Sequence, residues 1–201
     1  MSTVLPLVRW LTYIIPYFPK GGNMPDTYIC ADLHFNHKNI IAYENRPWPD
    51  REAMNQGLIA NWNAVVKPED TVFVLGDVGF CSIAKAKELV GQLNGHKVLI
   101  MGNHDRDRSV KTWQEIGFEI VSPWPIVYNE YIVMMHEPPT YFNEATPYFY
   151  IYGHVHGCPD YQDHTEHSAC VSVERLNYFP AKLEYVINGT AYAHRQIRKE
   201  L

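Results

Sequence analysis

Apolar residues along the 201-residue chain follow two rhythms. Short apolar runs that stop abruptly at a polar residue or glycine predict strands over Thr27–Ala31, Thr71–Leu75 and Lys97–Met101. They end at Asp32, at Gly76-Asp77 and at Gly102-Asn103. Between them, helical spacing of Met54, Leu58, Trp62 and Val65/Val66 predicts a helix capped by Asp50 and broken by Pro68-Glu69-Asp70. A second helix carries Ala86, Leu89, Val90 and Leu93, with Ser82 as its cap and Gly95 closing it. A short helix over Ser109–Ile116 follows.

Beyond it the chain turns strand-rich. Strands are expected near Phe118–Val121, Ile126–Val127, Tyr131–Met135, Phe149–Tyr152, Ala169–Val173 and Lys182–Ile187, then a short C-terminal helix. The second and third of these form a hairpin about Asn129-Glu130. The early strand–helix alternation favours a parallel core with right-handed crossovers, whereas the later strands, in quick succession, read as antiparallel. The fold class is α/β. Ligands of such a domain lie outside the carboxyl ends of its parallel strands, where Asp32, Asp77 and Asn103 fall.

Composition narrows the classes. The chain is 46% hydrophobic and 19% charged, which suits one globular domain. A formal charge of −5 argues against an extended nucleic-acid surface built on basic patches, though bound metal ions could attract a nucleotide locally. Cys30, Cys81, Cys158 and Cys170 show no paired spacing, which fits reduced thiols in a cytoplasmic protein. Residues 1–23 are apolar, but Pro6, Arg9 and Pro16 interrupt them, so no firm membrane segment is expected. They read as a non-native or weakly ordered extension, with an interfacial anchor through Trp10, Tyr13 and Phe18 as the alternative. The domain proper is placed at 24–201. Oligomeric state has no signature.

Five blocks carry the chemistry: Asp32-Leu33-His34, Gly76-Asp77, Gly102-Asn103-His104-Asp105, His136, and Gly153-His154-Val155-His156. Each follows an apolar strand with an oxygen or nitrogen donor, a set suited to Mn, Fe, Co, Ni or Zn. Asp-x-His and His-x-His along extended backbone would put both side chains on one face. Singly, each block reads equally as a cap, a turn or a surface strand. Jointly they point to a site.

The blocks resemble the pattern D-x-H, G-D, G-N-H-D/E, H, G-H-x-H of the calcineurin-like metallophosphoesterase superfamily. "ADLHFNHKNII", "ENRPWP" and "VSVERLNYFPAKLEYVI" are similar to its small bacterial and phage-type members. The resemblance implies a four-layer αββα sandwich of mixed sheets with a dinuclear metal site at strand carboxyl ends. It implies two divalent transition-metal ions, manganese placed first and Fe, Zn, Ni or Co as alternatives. Asp32, His34 and His156 would hold one ion, Asn103, His136 and His154 the other, and Asp77 both. His104 would face the phosphate, with Asp105 fixing its tautomer, and Asn103 would also touch substrate.

The function implied is metal-dependent hydrolysis of phosphate esters, as a phosphodiesterase acting on a phosphorylated small molecule or nucleotide. A phosphomonoesterase, a nucleotide pyrophosphatase and a non-catalytic scaffold are the alternatives. Among flanking residues, His37 reads as a substrate or water contact, or as a loop histidine. Arg46 and Arg106 read as phosphate ligands or as surface ion pairs.

Overall fold

The computed structural model describes residues 25–141 and 146–192, so the reading of residues 1–23 lies outside the described part. Nine strands and five helices are found among the described residues. In chain order the first half holds β1 (Thr27–Cys30), α1 (Lys38–Tyr43), α2 (Arg51–Val65), β2 (Thr71–Val74), α3 (Ile83–Val90), β3 (His96–Ile100), α4 (Val110–Ile116) and β4 (Ile120–Ser122). The second half holds β5 (Ile126–Tyr128), β6 (Ile132–Met134), β7 (Phe149–Tyr152), β8 (Ser168–Cys170), β9 (Ala181–Lys182) and α5 (Leu183–Ile187). A 3-10 turn, Thr190–Tyr192, follows, and the segment beyond it, where the short C-terminal helix was expected, lies outside the described residues.

Two mixed sheets result. The first has order β4-β3-β2-β1-β9. Its β1 to β4 are parallel and β9 runs against β1, as the strand–helix alternation predicted for the front half. The second has order β5-β6-β7-β8. Here the expectation of antiparallel strands is corrected: only the β5–β6 hairpin is antiparallel, while β6, β7 and β8 are parallel. Residues 135–148 and 153–167 separate those strands, and a parallel pair needs a crossover of about a dozen residues.

The caps expected at Asp50 and Ser82 form, and Ser109, expected inside its helix, is a cap as well. Asp50 accepts from Ala53 N, Ser82 from Lys85 N and Ser109 from Thr112 N. The third strand-end helix, α3, stops at Val90 with Gly91 as its cap, so Leu93 and Gly95 lie beyond it. Residues 183–187 form a helix rather than a continued strand, because Leu183 and Val186, three apart, are the positions it buries.

The two sheets meet at one end. Beyond β1, Ala31 N donates to Val171 O and Val173 N donates to Ala31 O. Below this seam the core is closed by α2, whose Met54, Leu58 and Trp62 are buried. Trp62 is fully buried and its Nε1 donates to Asn94 O at 2.9 Å. We expect Trp62→Ala to cost about 3–5 kcal/mol in urea denaturation, the range for deleting a buried aromatic ring.

Candidate metal centre

The strand ends that carry the candidate residues are bent by uncommon backbone. Asp32, His34, Asp77, His154 and His156 have φ of 61°, 51°, 55°, 68° and 46°. The expectation of an extended Asp-x-His and His-x-His is therefore corrected. Left-handed backbone costs about 1–2 kcal/mol per ordinary residue, so neighbouring bonds must hold it. Asp32 N donates to Gly76 O, His34 N to Asp77 O and Phe35 N to Val78 O, which zips the first loop to the second.

Three clusters of side chains result among the described residues, two of them built from the five blocks alone. One ligand atom from each of Asp32, His34 and His156 lies within 4.8 Å of the others, and the same holds for Asp77, His136 and His154. Asp77 faces both clusters: its Oδ2 is 3.5 Å from His34 Nε2 and its Oδ1 is 3.5 Å from His136 Nε2. Asn103 joins the second cluster, with Oδ1 2.9 Å from His136 Nε2 and 3.1 Å from His154 Nδ1. The two histidines of the fifth block are thus parted, one to each cluster.

The donor set suits a cation. Asp32 Oδ1 and His34 Nε2 are buried without a hydrogen-bond partner, each a cost of about 1–3 kcal/mol unless something else completes it. His136 Nδ1 lies 2.7 Å from the Leu75 carbonyl, which can only accept, so Nδ1–H is the donor. A neutral His136 then turns a bare Nε2 lone pair toward the Asn103 carbonyl oxygen, two acceptors that a cation between them would reconcile. Burial pushes the His34 and His154 imidazoles toward the neutral form, as metal ligation requires.

Residues 26–184, most of the chain, match the calcineurin-like phosphoesterase family. The chain belongs to that family. An uncharacterized protein of Methanocaldococcus jannaschii is 36% identical over 172 residues, 82% of this chain and 91% of that one. The gene 66 protein of Mycobacterium phage L5 is 35% identical over 41% of each chain. A crystal structure of a protein of unknown function from Aquifex aeolicus shares the fold, with a TM-score of 0.56 and 24% identity over 88% of this chain and all of that one.

Family membership implies metal-dependent phosphoester chemistry, and the rim of this phosphoesterase site faces solvent accordingly. Asn103, His104 and His154 are exposed, while Asp32, His34, Asp77 and His136 are buried. The His104 ring packs on Phe80 at 4.7 Å, and its Nε2 is 4.0 Å from Asp77 Oδ2. Beside it opens a cleft of about 490 Å³ lined by Phe80, Asn103, His104 and Arg108, among others. His37 lies at the edge, against Phe80 at 4.3 Å and with Nδ1 3.3 Å from His34 Nδ1.

Two flanking expectations, for Asp105 and Arg46, are corrected, while Arg106 takes the surface ion-pair reading. Asp105 makes no hydrogen bond or ion pair with His104. Its fully buried carboxylate instead accepts from the backbone N–H of Gly102 (2.8 Å), Asp77 (2.7 Å) and Val78 (3.0 Å). Arg46 is neither a phosphate ligand nor a surface ion pair. It is buried, donating to the carbonyls of Asp32 and Leu33 and to Glu174. Arg106 is exposed on the outer rim, 3.8 Å from Glu137, and does not enter either cluster.

Gly102 is also explained differently from a turn requirement. Neither Gly102 nor Asn103 has positive φ. A Cβ on Gly102 would instead overlap the Asp77 carboxylate and sit 2.7 Å from Asp77 N, so the glycine permits two loops to touch.

Burial is the main influence that raises the Asp105 carboxyl, and its three backbone bonds oppose that rise. Asp105→Ala would leave three N–H groups without their acceptor. We expect it to destabilise the fold by about 3 kcal/mol or more in chemical denaturation, at roughly 1–3 kcal/mol per unsatisfied group. Hydrogen exchange at Asp77, Val78 and Gly102 should accelerate together.

Proposed function

We propose that this chain hydrolyses phosphate esters at a dinuclear metal centre, as a phosphodiesterase acting on a nucleotide or nucleic-acid-derived substrate. Asp32, His34 and His156 would hold one ion, and Asn103, His136 and His154 the other, with Asp77 shared. The observation that carries the reading is the Asp77 carboxylate, which turns one oxygen to each cluster. The two sheets that converge on it would be the inner layers of a four-layer αββα sandwich. Manganese is proposed first, with Fe, Zn, Ni and Co as alternatives that the same nitrogen and oxygen donors accept. The four cysteines are free thiols, which supports the cytoplasmic setting.

Two ions bound there would act as Lewis acids and lower the pKa of the attacking water. The chain's own residues do the rest. Among the described residues only the Oδ1 of Asn103 makes contacts, so its amide N–H₂ would be open to a phosphoryl oxygen. His104, exposed on the rim, would bind the phosphoryl group and give a proton to the leaving oxygen, a role its nearness to Asp77 supports. His37 and Arg106 lie farther out, where they would contact the remainder of a substrate.

The deciding assay uses metal-stripped protein with Mn²⁺ returned, on bis-p-nitrophenyl phosphate and on p-nitrophenyl phosphate. Turnover of the diester above the monoester is expected. Preference for the monoester would assign a phosphomonoesterase, and no turnover with any divalent ion would assign a scaffold.

His104→Ala should retain both ions and lose roughly 10²–10⁴-fold in rate, the range of general acid–base catalysis. Asp77→Ala should lose ion occupancy itself, read by elemental analysis.

Uptake of the ions should depend on pH with a definite sign. Burial disfavours the charged His156 ring, but the Glu174 hydrogen bond and the charges of Asp32 and Glu174 outweigh it, raising the ring to about 9. Burial raises Asp32 to about 6, against the opposing charges of His156 and His136. Below about 9, therefore, an ion entering this cluster must displace the His156 proton, and below about 6 it must also displace that of Asp32. Affinity should rise with pH toward 9, most steeply below 6. Calorimetry in buffers of different ionisation enthalpy should record proton release at pH 7.

A further inference from the structure

We propose that Glu174, gripped by Arg46, is a positioning residue that aims His156 at the Asp32–His34 half of the centre. The inference rests on the two-ion reading of that centre. It begins with two charged groups that no sequence spacing connects, 128 residues apart and buried against each other.

Arg46 Nε and Nη2 both reach Glu174 Oε1, at 3.0 and 2.6 Å. The same oxygen lies 3.2 Å from His156 Nδ1. An ionised carboxylate can only accept, so Nδ1–H is the donor and Nε2 is the nitrogen left with a lone pair for an ion. The imidazole thereby loses both its choice of tautomer and its freedom to rotate.

The guanidinium does more than neutralise Glu174. Its Nη1 donates to Leu33 O and its Nη2 to Asp32 O, each at 2.8 Å. One buried cation therefore fixes the loop that carries Asp32 and His34 and, through Glu174, the ring of His156. The next residue holds the backbone of the same histidine: Arg175 Nε donates to His156 O and Nη2 to Cys158 O. Consecutive residues after β8 thus clamp His156 at its side chain and at its main chain.

A rival reading exists for the same atoms. Glu44, His156 and Glu174 approach within 4.8 Å and could hold an ion of their own. Glu174 Oε2 is buried without a hydrogen-bond partner, which would suit such an ion, but two observations oppose it. The Arg46 guanidinium already occupies Glu174 Oε1, so a cation there would meet a like charge. Glu44 Oε2 already accepts from Gly157 N at 3.1 Å.

The test loads wild type, Glu174→Ala and Glu174→Gln with Mn²⁺ and measures stoichiometry by elemental analysis, affinity by calorimetry and folding by thermal unfolding. Wild type should bind two ions. Glu174→Ala should keep one and hold the other about 10–100-fold more weakly, the usual consequence of removing a carboxylate behind a ligating histidine. Glu174→Gln, which preserves an acceptor for Nδ1–H, should recover most of that affinity. Two ions bound by Glu174→Ala with wild-type affinity would overturn the proposal. So would three ions in wild type falling to two in Glu174→Ala, since Glu174 would then be a ligand itself.

Should the variants fail to fold, nitrogen-15 correlation spectra of wild type loaded with Zn²⁺ decide the matter. Nδ1–H on His156 supports the proposal and Nε2–H refutes it. Wild type that takes up no ion would instead sink the two-ion reading on which the proposal stands.

Discussion

The Asp105 carboxylate is the interaction on which the site's geometry turns. It is wholly enclosed and accepts from Gly102 N, Asp77 N and Val78 N, so it belongs to two loops at once. Those loops leave the neighbouring parallel strands β2 and β3. Tied in this way, Asp77 cannot drift relative to Asn103 and His104. Trp113 Nε1 donates to Asp105 O, which extends the tie into α4 and the core. Glycine at 102 is required because the loops are drawn too close for a side chain.

A second constraint follows from the first. Donor groups that converge on a small volume must arrive from several strand ends, and each strand must turn sharply to deliver them. Left-handed backbone at Asp32, His34, Asp77, His154 and His156 accomplishes the turns. Such strain persists only where surroundings over-determine it. Here the loop-to-loop backbone bonds, Arg46 on the Asp32 and Leu33 carbonyls, and Asp32 Oδ2 accepting from His154 N all serve that end.

Much of this was legible in the residues, and the omissions have physical reasons. Apolar runs ending at Asp32, Asp77 and Asn103 marked the strand ends because a buried strand must stop where a charged donor begins. The division of ligands followed only from the family resemblance, and the proposed assignment rests on Asp32, His34 and His156 lying together and on Asp77, His136 and His154 lying together. Left-handed backbone was invisible, since aspartate and histidine do not announce it as glycine does. Arg46 was misread because its partner lies far along the chain, and a lone arginine before proline looks the same buried or exposed. Glu174 had a faint signal: a charged pair directly after an apolar strand has to be either solvated or matched, and here it is matched. The Lys182–Ile187 segment alternates like a strand, yet its apolar pair also fits one helical face, and packing on the first sheet chose the helix.

Charges packed around the first cluster are balanced by groups of the protein itself. Clustered carboxylates with no compensation would repel, and burial alone would favour their neutral forms. Asp32 is indeed raised, to about 6, by its burial. His156, held by Glu174 and raised to about 9, supplies a positive charge beside it. Arg46 balances Glu174 behind it. The buried half of the centre is therefore neutralised from within, while His104, Asn103 and His154 remain exposed on the other side. That sidedness leaves one direction of approach for a phosphate, across the face that His104 guards.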